Sequence, residues 1–185
     1  MTKNVEEIIA AHKIWHESNM SESRRAILTD LDLSGENLAE TQLSCADLSG
    51  ANFSGAILSK SVLTYAVVFG TNFTGAQLQK VTAHNTGFQN SDFTDAIMVD
   101  ADCAGADFRE VKLLRANLAG ADLSNTRLDD ADFTNASLSS ANLSGAKLAG
   151  TNFTNADLSS ANLSGTDLST AILTGAKMPN GLRHA

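Results

Sequence analysis

A chain of 185 residues with 43% apolar content, 13 Gly and a single Pro is sized for one domain with a core, and too poor in Pro and Gly for a disordered tract. Its net charge of −8 argues against a general nucleic-acid binder, which needs a basic face for phosphates. No stretch approaches the roughly 18 apolar residues of a membrane span, and no apolar run follows Met1, so the sequence predicts no membrane segment, no cleavable leader and a cytoplasmic location.

Residues 3–20 read as an amphipathic helix. Val5, Ile8, Ile9, His12 and Trp15 recur at helical spacing, with Glu6, Glu7, Lys13 and Glu17 mostly elsewhere on the wheel. A helix this short is marginal alone in water, so its apolar stripe needs something to cover. Asn19, Ser21 and Ser23 mark a break after it.

From Ala26 a five-residue beat begins and runs without insertion to Met178, giving 31 units centred on Leu28 through Met178. Pro179, Asn180 and Gly181 end it, and Leu182 to Ala185 read as a loose tail. The divisions are therefore 1–25, a helix and lead-in; 26–178, the repeats; and 179–185, the tail.

A period of five is neither the two of a strand nor the 3.6 of a helix. With one large apolar residue per unit, it requires a chain that turns a corner every five residues. Four corners close a square coil of 20 residues, and successive coils stack as parallel strands about 4.8 Å apart. The unit centres are 19 Leu, 7 Phe, 2 Met, Val68, Ala83 and Cys103, which must fill the interior. Two residues before each centre stand small side chains, 19 of them Ala. Two residues after it stand 11 Gly and 6 Asn, the residues that take positive φ most cheaply at the third position of a type II turn.

Phe53, Phe73, Phe93, Phe133 and Phe153 are separated by multiples of 20 and so belong to one stacked column. Phe88 and Phe108 form a second stack, and Ala83 with Cys103 an under-filled one. On the face of Leu38, Leu58, Leu78 and Met98 the corner residues include Glu40, Lys60, Lys80, Asp100, Ser140 and Ser160. These six suit positive φ poorly and are expected to turn with negative φ, with Asn180 and Gly120 as the exceptions. Leu31 and Glu36 break the small inward position and predict a distorted first coil. Cys45 points outward and Cys103 inward on different coils, so no disulfide is expected, which suits a reducing compartment.

This register resembles the pentapeptide-repeat family, A-[DN]-[LF]-x-x, over residues 26–178. The resemblance implies an all-β solenoid, a right-handed quadrilateral parallel β-helix, here with an N-terminal capping α-helix. The lead-in carrying His12, Trp15, Ser18, Arg25 and Ala26 also looks like that of many bacterial members. Most members have no known activity, and the best understood resemble duplex DNA and protect DNA gyrase from quinolones.

Nothing in the sequence reads as catalytic, cofactor-binding or metal-binding. His12 and His16 have the i, i+4 spacing of a metal pair, but Lys13 stands where an H-E-x-x-H site needs Glu. Asp92, Asp95, Asp100, Asp102, Asp107 and Glu110 point out of several faces by register and read as a solvated surface. The leading reading is a non-enzymatic rigid scaffold or protein-interaction module of a bacterial cytoplasm, with an unidentified protein partner and no direct contact with nucleic acid or membrane. The alternative is a DNA mimic acting on gyrase or another topoisomerase. The last coil lacks a visible cap and invites end-to-end homodimerisation. The candidate contact residues are Ile57, Val62, Tyr65, Val67 and Phe69, which place apolar side chains at positions that elsewhere hold polar or turn residues. A bulge of the chain, or a tail folded over them, is the competing explanation.

Overall fold

One turn every five residues sets the architecture. In the computed structural model, which describes residues 3–19 and 25–184, the unit centres accept the N–H three residues on, as in Ser61 N–H to the Leu58 carbonyl at 3.0 Å, except at Val68, where the Thr71 N–H bonds the Ser91 hydroxyl at 3.0 Å instead. Every corner from Asp30 to Gly165 has positive φ, between 52° and 74°. Four such corners return the chain to its starting face. Parallel bridges then join residues 20 apart, from Ile27 with Asp47 to Asp157 with Lys177. The result is the square coil that the beat predicts, with the right hand that the family resemblance implies.

We number the faces in chain order: face 1 holds centres Leu28, Leu48 and Val68; face 2 Leu33, Phe53 and Phe73; face 3 Leu38, Leu58 and Leu78; face 4 Leu43, Leu63 and Ala83. Coil 1 spans 26–45, and each later coil the next 20 residues.

The expectation of negative φ on face 3 is wrong. Glu40, Lys60, Lys80, Asp100, Ser140 and Ser160 all lie between 54° and 60°. The ladder explains it, because a corner N–H also bonds the coil above: Lys60 to the Gln79 carbonyl at 2.9 Å, Lys80 to that of Val99 at 3.0 Å. Left-handed backbone costs a non-glycine residue roughly 1–2 kcal/mol. Abandoning it forfeits ladder bonds worth about 1 kcal/mol each and loosens a buried centre worth about 2 kcal/mol.

The interior is filled as the sequence predicts. Phe53 stacks on Phe73 (centroids 5.2 Å apart), Phe73 on Phe93 (4.6 Å) and Phe133 on Phe153 (5.2 Å). Phe88 and Phe108 stack at 4.7 Å, and Phe88 meets Phe93 edge-on at 79°. Inward hydroxyls find carbonyls one coil back: Thr71 donates to Leu48, Thr86 to Leu63 and Ser91 to Val68, at 2.6 to 2.9 Å. The Asp and Asn before each centre do more than face water. Their Oδ1 accepts the N–H two residues on, as in Ser124 to Asp122 at 2.8 Å, which braces the corner. Cys45 and Cys103 are free, and burial pushes the Cys103 thiol far up, leaving it inert.

Helix α1 (Lys3–Glu17) lies over coil 1, with Val5 and His12 buried and Ile8 and Ile9 packed against the core. The break expected at Ser21 and Ser23 lies outside the described residues, as do Met20 and Ala185. Coil 1 is regular, against the distortion expected of Leu31 and Glu36. Their carbonyls take the ordinary ladder bonds from Asn52 at 2.8 Å and Ile57 at 2.9 Å.

The other end departs from expectation twice. The tail is not loose: residues 182–184 turn back and pair antiparallel with face 3 of coil 8, Met178 N–H to Leu182 and His184 N–H to Ala176, both at 2.8 Å. Gly181, not Asn180, takes the positive φ of that turn, at 82°. Face 1 of coil 8 is detached from coil 7. No bridge joins Lys147 with Asp167, and among the described residues Leu148 N–H has no backbone acceptor. Thr170 stands at this joint, its hydroxyl taking the Gly150 N–H at 3.4 Å where other corners bond a ladder carbonyl. It is the only β-branched residue at a corner, and the only corner between Asp30 and Gly175 without positive φ. A cleft of about 320 Å³ opens there between Lys147, Ala149, Asp167 and Thr170.

Thr170→Asn, which tolerates the left-handed region, should close this face. The expected result is slower hydrogen exchange at the Leu148 amide and a gain of about 1 kcal/mol in unfolding free energy.

Candidate protein-interaction face

At one height of the rod the outward positions lose their polarity. Val67 precedes a face 1 centre and Phe69 follows it, and Tyr65 takes the corner leading onto that face. Their exposures are 44%, 53% and 61%. Tyr65 pays left-handed strain, with φ at 60°, in a site that holds its ring in water. The ladder runs unbroken beneath them: Tyr65 N–H bonds the His84 carbonyl at 3.0 Å, and Val67 bridges both Asp47 and Gly87. The chain therefore does not bulge, and the tail lies against coil 8. The competing explanation of this patch is removed for the described residues.

The five candidate residues do not converge on one surface. Tyr65, Val67 and Phe69 run across face 1, from its leading corner to just past its centre. Val62 sits half-buried on face 4 beside them, and Ile57 lies half-buried round on face 3, opposite face 1. A flat partner that covers Phe69 cannot reach Ile57.

Residues that the sequence reading missed complete the face. Gly87 is the only glycine in front of a centre, so the strand above Val67 has no side chain. A shallow groove of about 320 Å³ lies on this face, lined by Val67, Phe69, Gln89, Asn90, Arg109 and Glu110. Gln89 folds over Gly87, where an added Cβ would meet its Oε1 at 3.0 Å, and donates from Nε2 to Asp107 at 2.9 Å.

Asp107 organises the upper rim. Arg109 grips it through Nε at 2.9 Å and Nη2 at 2.7 Å, and Arg127 approaches from the next coil at 3.6 Å. Burial pushes the Asp107 carboxyl up, but the Arg109 hydrogen bonds and charge, with the Gln89 amide, hold it below the usual carboxylate range. The rim stays charged and fixed at neutral pH. Nothing here is arranged as a nucleophile and base. His84 pairs with Asp102 at 2.7 Å on face 4, half-exposed and away from the groove. His12 and His16 make no metal centre, and among the described residues no group of three His, Cys, Asp or Glu is placed to hold an ion. No described helix is long and apolar enough to cross a membrane.

A right-handed square coil with an interior packed mainly by Leu, Phe and Ala defines a repeat solenoid. Two family models, described as "Pentapeptide repeats (8 copies)" over residues 24–60, 96–135 and 136–175 and "Pentapeptide repeats (9 copies)" over 69–112, match the chain. The chain belongs to the pentapeptide repeat family. Among solved structures it is similar to HetL, a pentapeptide repeat protein involved in heterocyst differentiation regulation from the cyanobacterium Nostoc sp. strain PCC 7120. The two share 25% identity over 86% of this chain and 90% of HetL, with a TM-score of 0.60. It is also similar in fold to trypsin-treated QnrB1, a plasmid-mediated fluoroquinolone resistance protein, at 20% identity over 85% of this chain and 92% of that one, TM-score 0.55. No curated protein sequence matches the chain.

Because neither ring reaches the interior, Tyr65→Ser combined with Phe69→Ser should change the unfolding free energy by less than about 0.5 kcal/mol. A thermal melt against the parent chain measures it; a large loss of stability would make the pair structural.

Proposed function

We propose that this chain is a non-enzymatic, rigid interaction module that holds a protein partner on face 1 at Tyr65, Val67 and Phe69, with Val62 at its margin. One observation carries this reading: three exposed apolar side chains, one of them on strained backbone, stand on an unbulged face beside a groove with a fixed charged rim. Aromatic and arginine side chains are what protein contact sites concentrate. HetL is described as taking part in regulation of heterocyst differentiation, a role of the kind such a module fills. The natural setting is a bacterial cytoplasm.

A DNA mimic acting on gyrase is less well served. Lys60, Lys112, Arg115, Arg127 and Lys177 each sit across a carboxylate one coil earlier, Glu40, Asp92, Asp95, Asp107 and Asp157. These rungs interrupt the negative columns that a phosphate backbone presents. The likeness to QnrB1 carries the fold alone.

The test is affinity capture from the native host by the parent chain and by Gly87→Lys, with quantitative mass spectrometry. Gly87 lies on ordinary strand backbone, and a side chain there displaces the flexible end of Gln89, which lines the groove, so the variant folds while the groove is altered. The expected result is a partner captured by the parent and lost, tenfold or more, with the variant. Equal capture by both removes the face from the contact.

The same reading includes end-to-end pairing of two copies through coil 8. There Leu168 and Leu173, with Leu163 at the end of coil 7, are only half-covered, and their N–H groups have no backbone acceptor among the described residues. Light scattering should give twice the chain mass, and a monomer at high concentration counts against the pairing.

A further inference from the structure

The joint between α1 and the solenoid rests on a titratable ring. His12 is fully buried, and its Nδ1 accepts the N–H of Ala26 at 2.9 Å. Ala26 opens the first unit, and its carbonyl receives the first ladder bond of coil 2, from Asp47 at 3.0 Å. The ring stacks on Trp15, centroids 5.2 Å apart and planes 23° from parallel. An accepting Nδ1 places the ring proton on Nε2. That atom lies toward the backbone carbonyl of Ser44 but closes no hydrogen bond.

A second proton has to enter at Nδ1. There it would set a donor against the donor of Ala26, breaking the bond and leaving two N–H groups opposed in a dry site. It would also bury a cation. The charged and titratable groups that act on the ring are His16 on α1 and Arg25 on the lead-in, both of which oppose it; coil 1 faces it with the neutral Ser44 backbone. No carboxylate is placed to offset the charge among the groups acting on it.

We propose that His12 is a pH-operated latch: neutral, it docks α1 on coil 1, and protonated, it releases the helix and bares the apolar end of the solenoid. Burial, then the repulsion of His16 and Arg25, hold the docked ring's proton affinity below the ordinary histidine value, while the Ser44 carbonyl acts the other way. The undocked state therefore binds more protons. The docking free energy is fully present above pH about 6.5 and is lost as pH falls from there through the docked value.

Trp15 is the only tryptophan and stacks on this ring, so its emission reports the joint alone. The full chain is titrated from neutral to mildly acidic pH, following Trp15 fluorescence, and hydrogen exchange is read at the Ala26 amide. The expected result is a reversible red shift of Trp15, with the protection of Ala26 falling up to roughly tenfold per pH unit below the ordinary histidine value. The amides of the middle coils keep their protection throughout. His12→Gln, whose side-chain oxygen accepts the same N–H without titrating, should hold the helix down across the range, and His16→Gln should behave as the parent. The latch is overturned if Ala26 protection and Trp15 emission do not change with pH, or if His12→Gln titrates as the parent does. Should His12→Gln fail to fold, nitrogen NMR of the parent decides. A His12 that gains its second proton while Ala26 stays protected sinks the proposal, as does one that stays neutral while the helix leaves.

Discussion

Everything in this molecule depends on one backbone state recurring every five residues. A left-handed residue at each corner turns the chain through a right angle, and an interval of five keeps every centre pointing inward. The ladder then reinforces the corner, since the N–H of the strained residue is also a rung to the coil above. Strain that Lys60 or Tyr65 would not sustain in a free peptide is held by neighbours on both sides. The exception is Thr170, where a branched Cβ meets the last coil, which has no further coil to hold it.

This explains which parts of the fold were legible. The period and the inward and outward positions follow from side-chain size and polarity, which the sequence displays directly. The Phe columns follow from arithmetic on 20. Corner φ was misread because intrinsic preference was weighed without the ladder: Glu40, Lys60 and Lys80 are poor residues for the state they occupy. The antiparallel return of Leu182 to His184 has no periodic signature, because its partners are backbone groups. The buried role of His12 was hidden for a similar reason. Its partner is a backbone N–H, and the backbone is the same at every residue.

The interaction face was half legible. Tyr65, Val67 and Phe69 stood out because a strict repeat makes any departure visible. Ile57 was grouped with them by its height along the rod, although the square cross-section sets it on the opposite side. The groove went unnoticed because its walls come from three successive coils, at Phe69, Gln89 and Arg109, and 20-residue spacing does not show how their side chains lie. Arg109 and Asp107 were counted as solvated charge, whereas their hydrogen bonds make a fixed rim.

The unequal ends of the rod bear on how such a protein is taken apart. A solenoid has no long-range contacts to shear at once; it unwinds coil by coil from wherever it is gripped. At one end a traction force meets α1, packed on coil 1 and held at Ala26. At the other it meets a short antiparallel strand and then a coil whose first face is already unzipped at Thr170. An unfolding motor that grasps the tail starts from a broken rung, and one that grasps α1 must first tear off a cap. The rod is mechanically polar, and its destruction by a processive protease has a preferred direction.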